Sequence, residues 1–188
     1  LYKSLMSLYQ GYAQLMSQWM NNRDNQAQYT SRAMAPPVIR LMSTLKSEIL
    51  QLFEVFVAHS MKRDHDQIAQ QFVPSFLDTI LNDYQNCITI YKEASCLNVC
   101  SALIENLDSK MNDFILKIFG TLFQNTLDMI KGDMHNYPDH RLAFFKFLFN
   151  VVKSCFVVFT SMNQNQMQIV ITCIMWAHEH IDHQICEF

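Results

Sequence analysis

Four side chains near the C-terminal end of the sequence are of types that bind zinc. His178, His180, Asp182 and His183 lie within one six-residue stretch. On a helix, His178 and Asp182 share a face, as do His180 and His183, and imidazole and carboxylate groups are zinc ligands. The stretch departs from the HExxH pattern of zinc hydrolases, because Asp stands at position 182 where the pattern needs His. We expect a solvated helix end here, and keep a helical metal-dependent enzyme as one alternative.

Cysteine thiolates are the second potential ligand type. Cys96 and Cys100 are four residues apart, which puts both sulfurs on one helix face, but no second pair with matching spacing follows. The six cysteines all fall within apolar helical patterns: Cys87, Cys96, Cys100, Cys155, Cys173 and Cys186. We therefore expect buried, reduced structural thiols in an intracellular chain.

Patterns for other chemistry are missing from the sequence. It has no Gly-rich phosphate loop, no Ser-His-Asp arrangement at known spacing, and no paired carboxylates with a local reason for perturbed acidity. The net charge of −3 is too mild for a protein that neutralises nucleic-acid phosphates. The most apolar stretch, 142–159, contains Lys146 and Lys153, which a bilayer core disfavours. We expect no enzyme activity, no cofactor, no nucleic-acid partner and no membrane segment.

The composition favours an all-α fold with an extensive core. Apolar residues make up 50% of the 188 residues and charged residues only 16%. With 3 Gly and 4 Pro, the chain has few of the residues that the tight turns of β-sheets require. Leu, Met, Gln and Phe are instead common, which suits long helices.

Apolar residues at three-to-four spacing predict about seven antiparallel helices. Pro37 can begin one helix, Asp108 or Ser109 can cap another, and Asn163 with Gln166 forms a capping box for the last. Mid-helix Gly120 either marks a close helix crossing or is incidental. The predicted helices span about 1–20, 37–60, 68–85, 92–107, 109–132, 138–159 and 163–181.

The helices recur as pairs. The equivalent second helices begin near Phe72, Phe114 and Met167, a period of roughly 40 to 50 residues that is typical of HEAT and armadillo hairpins. Such hairpins bury their apolar stripes only when neighbours stack on them. The pattern also permits an ordinary helical bundle. We expect residues 1–188 to form a single HEAT-repeat segment of about three and a half hairpins, an α-α superhelix, with exposed apolar stripes on its end helices and a tendency to self-associate.

Three stretches of the sequence are informative: 38–48 (VIRLMSTLKSE), 72–85 (with FVP, LD and NDYQ) and 137–145 (with YPDHR and FF). In order and with similar gaps, they resemble the C-terminal half of export receptors of the karyopherin-β family. A fourth, weaker similarity lies at 174–177. The turn at 61–66 is longer than is usual in that family, and the turn at 87–91 lacks a proline, so the resemblance is to a divergent member.

The resemblance implies a ring of HEAT repeats that shuttles between nucleus and cytoplasm. Such a receptor binds Ran-GTP together with cargo that bears a leucine-rich export signal, passes the FG nucleoporins, and leaves GTP hydrolysis to its partner. This segment is expected to lie C-terminal to the export-signal groove, so none of its cysteines is assigned to that groove. The alternative is a generic HEAT scaffold or adaptor with no transport role.

Polar residues on the second helices are the candidate protein-binding residues, because HEAT proteins bind partners on the concave surface that those helices line. An acidic inner surface could attract the basic patches of a small GTPase. The candidates are Asp78, Asn82, Asp83, Asp113, Lys117, Asp128 and Lys131.

Overall fold

Eight α-helices account for most of the chain that the computed structural model describes, namely residues 2–22, 25, 31–60, 69–132 and 137–178. Short 3-10 turns occur at Arg32–Met34, Thr89–Tyr91 and Asp108–Met111, and no strand occurs in these described ranges. The all-α prediction is confirmed. The helices are α1 (Tyr2–Met20), α2 (Pro37–Ser60), α3 (Val73–Asn86), α4 (Ala94–Leu107), α5 (Asn112–Gly132), α6 (Pro138–Ser154), α7 (Phe156–Ser161) and α8 (Gln164–His178).

Local sequence signals begin several of these helices. Pro37 and Pro138 are the first residues of α2 and α6. At that position a backbone N–H would have no acceptor within the helix, so proline, which lacks this N–H, loses no hydrogen bond. The predicted capping box begins α8: the Gln166 backbone N–H donates to Asn163 Oδ1 at 2.9 Å, and the Asn163 N–H donates to Gln166 Oε1 at 3.4 Å.

The helices stack in two layers. In one layer α2 packs on α4 and α4 on α6; in the other α1 neighbours α3, α3 packs on α5, and α5 contacts α7. Helix α8 packs against α6 through Trp176 and Phe145, whose ring centroids are 5.3 Å apart. A band of buried apolar side chains runs between the layers from α1 to α8. This lateral stacking is that of an α-helical repeat solenoid, as the sequence predicted.

The single helix predicted over 138–159 is wrong. Helix α6 ends at Ser154, Cys155 is non-helical with φ −124° and ψ 37°, and α7 begins at Phe156. The Cys155 thiol donates to the Asp108 carbonyl at 3.7 Å. The break lets α7 turn toward α5 and bury Val158 in the common core.

The predicted cap at Asp108 or Ser109 is also wrong. Asp108 ends α4 with φ 51° and ψ −129°, a conformation that disfavours residues with a Cβ, and α5 starts only at Asn112. Gly120 does not mark a close crossing, because a Cβ built there would meet no atom within 4 Å.

The predicted burial of the cysteines is confirmed for the described residues, where Cys87, Cys96, Cys100, Cys155 and Cys173 are buried free thiols. Of the candidate zinc ligands, His178 is exposed at the end of α8, and His180, Asp182 and His183 lie outside the described residues, as does Cys186. None of the described helices is long and apolar enough to cross a bilayer.

The end helices expose apolar side chains, as predicted. Self-association through them stays a prediction. The outer face of α2 is also apolar, which the sequence analysis did not anticipate. The exposed residues are Leu8 and Leu15 on α1, Val38, Leu41, Leu52 and Val55 on α2, and Ile169, Ile171, Ile174 and Met175 on α8.

Candidate protein-binding face and polar groove

Helices α1, α3 and α5 form the layer that holds all seven candidate binding residues. Helices α1 and α3 run in the same direction, since Tyr2 packs edge-on against Phe72 and Gln10 bonds Thr79 further along both helices. The α3 residues are Asp78, Asn82 and Asp83; the α5 residues are Asp113, Lys117, Asp128 and Lys131. All except Asp83 are exposed.

An ion pair joins the two candidate groups. The Lys117 ammonium donates to Asp78 Oδ1 between α5 and α3, and both side chains are more than half exposed. Such a surface pair contributes little stability, on the order of 0–1 kcal/mol. Further along α5, Asp128 Oδ1 accepts a hydrogen bond from Gln124 Nε2 at 2.7 Å. Burial raises the pKa of the Cys173 thiol on α8 to about 11, and the charge of Lys131 opposes that shift. The face therefore presents mixed charge with exposed carboxylates.

Asp83 differs from the other candidates because its carboxylate is used inside the fold. Its Oδ2 lies 2.6 Å from Lys46 Nζ of α2 and accepts a hydrogen bond from the Tyr9 hydroxyl of α1, also at 2.6 Å. Burial, and secondly the Asp83 charge, raise the pKa of Tyr9 well above its usual value. Asp83 therefore joins three helices, and only 14% of its side chain is accessible. Its role in binding a partner stays a prediction.

The roles of Lys46 and Tyr9 were not predicted from the sequence, although the position of Lys46 indicates a buried charge. It stands on the buried stripe of α2 between Ile39 and Leu50, and only 1% of its side chain is exposed. A lysine on an otherwise apolar stripe needs a charged partner, because burying an unpaired ammonium is very costly.

A polar groove of about 710 Å³ lies between α1 and α3, above Asp83. On one wall are Gln10, Gln14 and Gln18, each four residues from the next. On the other wall are Asp78, Asn82 and Asn86, with the same spacing. Gln10 Nε2 donates to Thr79 Oγ1 across the groove at 3.0 Å. The remaining lining residues are Ala13, Ser17, Met20, Asn21, Thr79, Asp83 and Cys87.

A second polar cluster ties the start of α4 to its surroundings. Ser43 Oγ donates to Glu93 Oε1 at 2.6 Å, and Arg32 donates to both residues. The ring of His140 donates from Nε2 to the Lys92 carbonyl at 3.0 Å. Burial lowers the pKa of His140 to about 4, so this imidazole is neutral at pH 7. Because these groups bond one another and the backbone, they support the turns of the fold.

The described face and groove present carboxylate, ammonium and carboxamide groups at the surface. No group of three His, Cys, Asp or Glu residues in the described part of the chain could hold a metal ion. Stacked helical hairpins with a polar face on one layer define the class as an α-helical repeat scaffold.

Comparison with known proteins gives the family. The whole chain, residues 1–188, matches the family model described as CRM1 C terminal. The chain therefore belongs to the CRM1 C-terminal family, which confirms the resemblance to the export receptors.

Several curated proteins named as exportins are similar to this chain. Protein EXPORTIN 1B of Arabidopsis thaliana is 30% identical over 187 residues, which is 100% of this chain and 17% of that protein. Exportin-1 of Drosophila melanogaster is 32% identical over 145 residues, 77% of this chain and 14% of that protein. Exportin-1 of Schizosaccharomyces pombe (strain 972 / ATCC 24843) is 27% identical over 186 residues, 99% of this chain and 16% of that protein. The chain thus spans about a sixth of the length of these relatives.

Proposed function

We propose that this chain is a segment of a nuclear export receptor that binds cargo with a leucine-rich export signal together with Ran-GTP. The receptor carries that cargo past the FG nucleoporins and shuttles between nucleus and cytoplasm. The observation that carries the proposal is the exportin similarity over the full chain, joined to a two-layer helical scaffold. The segment acts by binding and by its curvature, with no cofactor, and GTP hydrolysis belongs to the partner.

The proposed contact surface is the exposed part of the α3 and α5 face. Asp113 and Asp128 are exposed carboxylates of α5, while Asp78 is paired with Lys117. Carboxylates on a concave surface speed the encounter with a basic patch and orient it, so they act mainly on the association rate. Asn82 and Lys131 add polar contacts. Asp83, turned into the fold, supports the surface from below.

The test is binding of Ran-GTP by the intact receptor that contains this chain. With a fluorescent export-signal peptide and Ran loaded with a non-hydrolysable GTP analogue, the receptor forms a ternary complex. Charge reversal by Asp113→Lys and Asp128→Lys weakens that complex by about 10-fold, chiefly through a slower association rate. The matched control is Glu48→Lys with Glu105→Lys, two exposed carboxylates on the opposite layer, which leaves the complex unchanged.

Two results would count against the proposal. If the intact receptor fails to bind Ran-GTP in the presence of the export-signal peptide, the transport role is wrong and a scaffold without a transport role remains. If the complex forms but responds equally to both pairs of charge reversals, the α5 carboxylates are not part of the contact surface.

A further inference from the structure

Each wall of the groove between α1 and α3 carries a ladder, by which we mean three polar side chains, the rungs, at regular four-residue spacing. Gln10, Gln14 and Gln18 follow one another at four-residue spacing on α1, opposite Asp78, Asn82 and Asn86 at the same spacing on α3. Four residues of an α-helix rise about 6.0 Å. Two residues of an extended chain advance about 6.6–6.8 Å. Over three rungs the two repeats drift apart by only about 1–2 Å, so every second peptide group of an extended segment meets a rung.

The chemistry of the rungs matches that of a peptide backbone. A carboxamide has N–H donors and a carbonyl acceptor, the same groups that an extended main chain leaves unpaired on each side. Asn86 Nδ2 donates to Asn82 Oδ1 at 3.0 Å, so the α3 ladder is partly ordered before any ligand binds. Ser17, Asn21 and Thr79 add further donors and acceptors to the lining.

Asp83 contributes an oriented acceptor at the floor of the groove. Its Oδ2 accepts from both Lys46 and Tyr9, and these two bonds fix the carboxylate. Its other oxygen, Oδ1, accepts no hydrogen bond from the described residues. The lining carries two carboxylates, Asp83 paired with Lys46 and Asp78 paired with Lys117, so the groove is polar but close to neutral.

The lining disfavours other kinds of ligand. The residues that form the groove include no Lys or Arg to hold phosphates and no aromatic ring on which a base could stack. Ala13, Met20 and Cys87 are its apolar residues, too few to receive the apolar face of an amphipathic helix.

We propose that this groove binds an extended, uncharged polypeptide segment of a partner protein through its main chain. Carboxamides on both walls bond alternate peptide groups, and Asp83 Oδ1 accepts a main-chain N–H. The inference rests on the proposed role of this layer as a protein-binding face, but it does not depend on Ran or on an export signal.

The probe for the test is a phage-displayed library of random nonapeptides, selected on the 188-residue chain and counter-selected on its Gln14→Ala/Asn82→Ala variant. This selection enriches peptides whose binding requires the side chains of the two ladders. A fluorescein-labelled copy of an enriched peptide is expected to bind the variant at least about 10-fold more weakly, which corresponds to the loss of about one to two hydrogen bonds. The control variant is Ser7→Ala/Gln85→Ala, which changes exposed polar residues of the same two helices outside the groove and keeps wild-type affinity.

Main-chain recognition is then separated from side-chain recognition by N-methylation. Two versions of the peptide carry N-methyl groups on odd or on even residues, which removes alternate N–H donors. The N–H groups of odd and even residues of an extended segment face opposite walls, so we expect each pattern to weaken binding by at least about 10-fold. We expect less than a twofold change in affinity between 50 and 300 mM salt, because no net charge is involved. Full affinity of either N-methylated peptide, a strong salt dependence, or no ladder-dependent peptide would overturn the inference.

The same measurements distinguish this inference from the proposed function. Ternary complex formation with Ran-GTP, combined with no ladder-dependent peptide, contradicts the main-chain groove and leaves the transport role intact. Ladder-dependent peptides without Ran-GTP binding contradict the transport role and leave the groove intact.

Discussion

Lys46 of α2 and Asp83 of α3 form a buried ion pair, with Nζ 2.6 Å from Oδ2. Tyr9 of α1 donates its hydroxyl to the same oxygen, and its ring lies 5.4 Å from the Lys46 ammonium. One charge pair therefore joins three helices from both layers and also forms the floor of the groove. The stability of the fold and the shape of its candidate binding surface thus depend on the same contact.

Removing Lys46 tests this connection. Lys46→Ala leaves the Asp83 carboxylate largely buried without its cation, and we expect a loss of about 3 kcal/mol in the free energy of unfolding, measured by urea denaturation. Lys46→Met, which keeps the packing volume, combined with Asp83→Leu, which removes the anion, recovers most of that loss. Lys3→Ala on the exposed side of α1 is the control. Equal stability of Lys46→Ala and Lys3→Ala would contradict the buried-pair account.

Asp108 holds a strained backbone between α4 and α5. Because its φ is 51° with ψ at −129°, a residue without a Cβ fits better there. We expect Asp108→Gly to raise the free energy of unfolding by about 0.5–1 kcal/mol, the relief of strain exceeding the greater flexibility of glycine in the unfolded chain. The comparison variant Asp128→Gly, inside regular helix α5, loses stability. Thermal unfolding followed by circular dichroism measures both, and destabilisation by Asp108→Gly would show that the conformation carries no strain.

Gly120 interrupts α5 where no neighbour requires glycine. A Cβ at this position meets open space, so Gly120→Ala should stabilise the chain by about 1 kcal/mol through helix propensity alone. Gly11→Ala in α1 has equally open surroundings and should give a similar gain in urea denaturation. A loss of stability in either variant would mean that an atom packs against that glycine in solution.

His140 makes stability depend on pH. Burial lowers its folded-state pKa to about 4, below the ordinary histidine value of 6.5 that applies to the unfolded chain. Between pH 6.5 and pH 4 the unfolded state binds a proton that the folded state does not bind. The stability that neutral His140 contributes is therefore fully present above pH 6.5 and is lost as the pH falls toward 4. The expected loss is about 2–3 kcal/mol.

The pH effect is measured by urea denaturation at pH 7 and pH 4.5. His140→Gln removes the titrating group and flattens the dependence, whereas His59→Gln, at an exposed position on α2, leaves it as in the wild type. If His140→Gln and the wild type lose stability in parallel, another group carries the titration.

Much of the helical frame could be predicted because its causes are local. Pro37 and Pro138 mark helix starts, and the Asn163 and Gln166 pair caps α8, since each signal acts within one turn of helix. The break at Cys155 could not be predicted. Apolar residues continue on both sides of it, no Gly or Pro marks it, and the thiol meets the Asp108 carbonyl, 47 residues away in sequence.

Only part of the groove between α1 and α3 could be predicted from the sequence. The repeat pattern identified Asp78 and Asn82 on α3, but the glutamines of α1 resemble an ordinary solvated face, and only the folded chain brings Gln10 against Thr79, 69 residues away. The role of Asp83 was missed for the same reason. Its partners Lys46 and Tyr9 lie on two other helices, so their proximity is a property of the stacking.

The proposed contact surface is tested most directly by carboxylate labelling of the intact receptor, with and without Ran-GTP and an export-signal peptide. We expect complex formation to protect Asp113 and Asp128 from carbodiimide-mediated labelling, while Glu48 and Glu105 on the opposite layer react at unchanged rates. A complex in which Asp113 and Asp128 label as fast as in the free receptor would contradict the proposed contact surface.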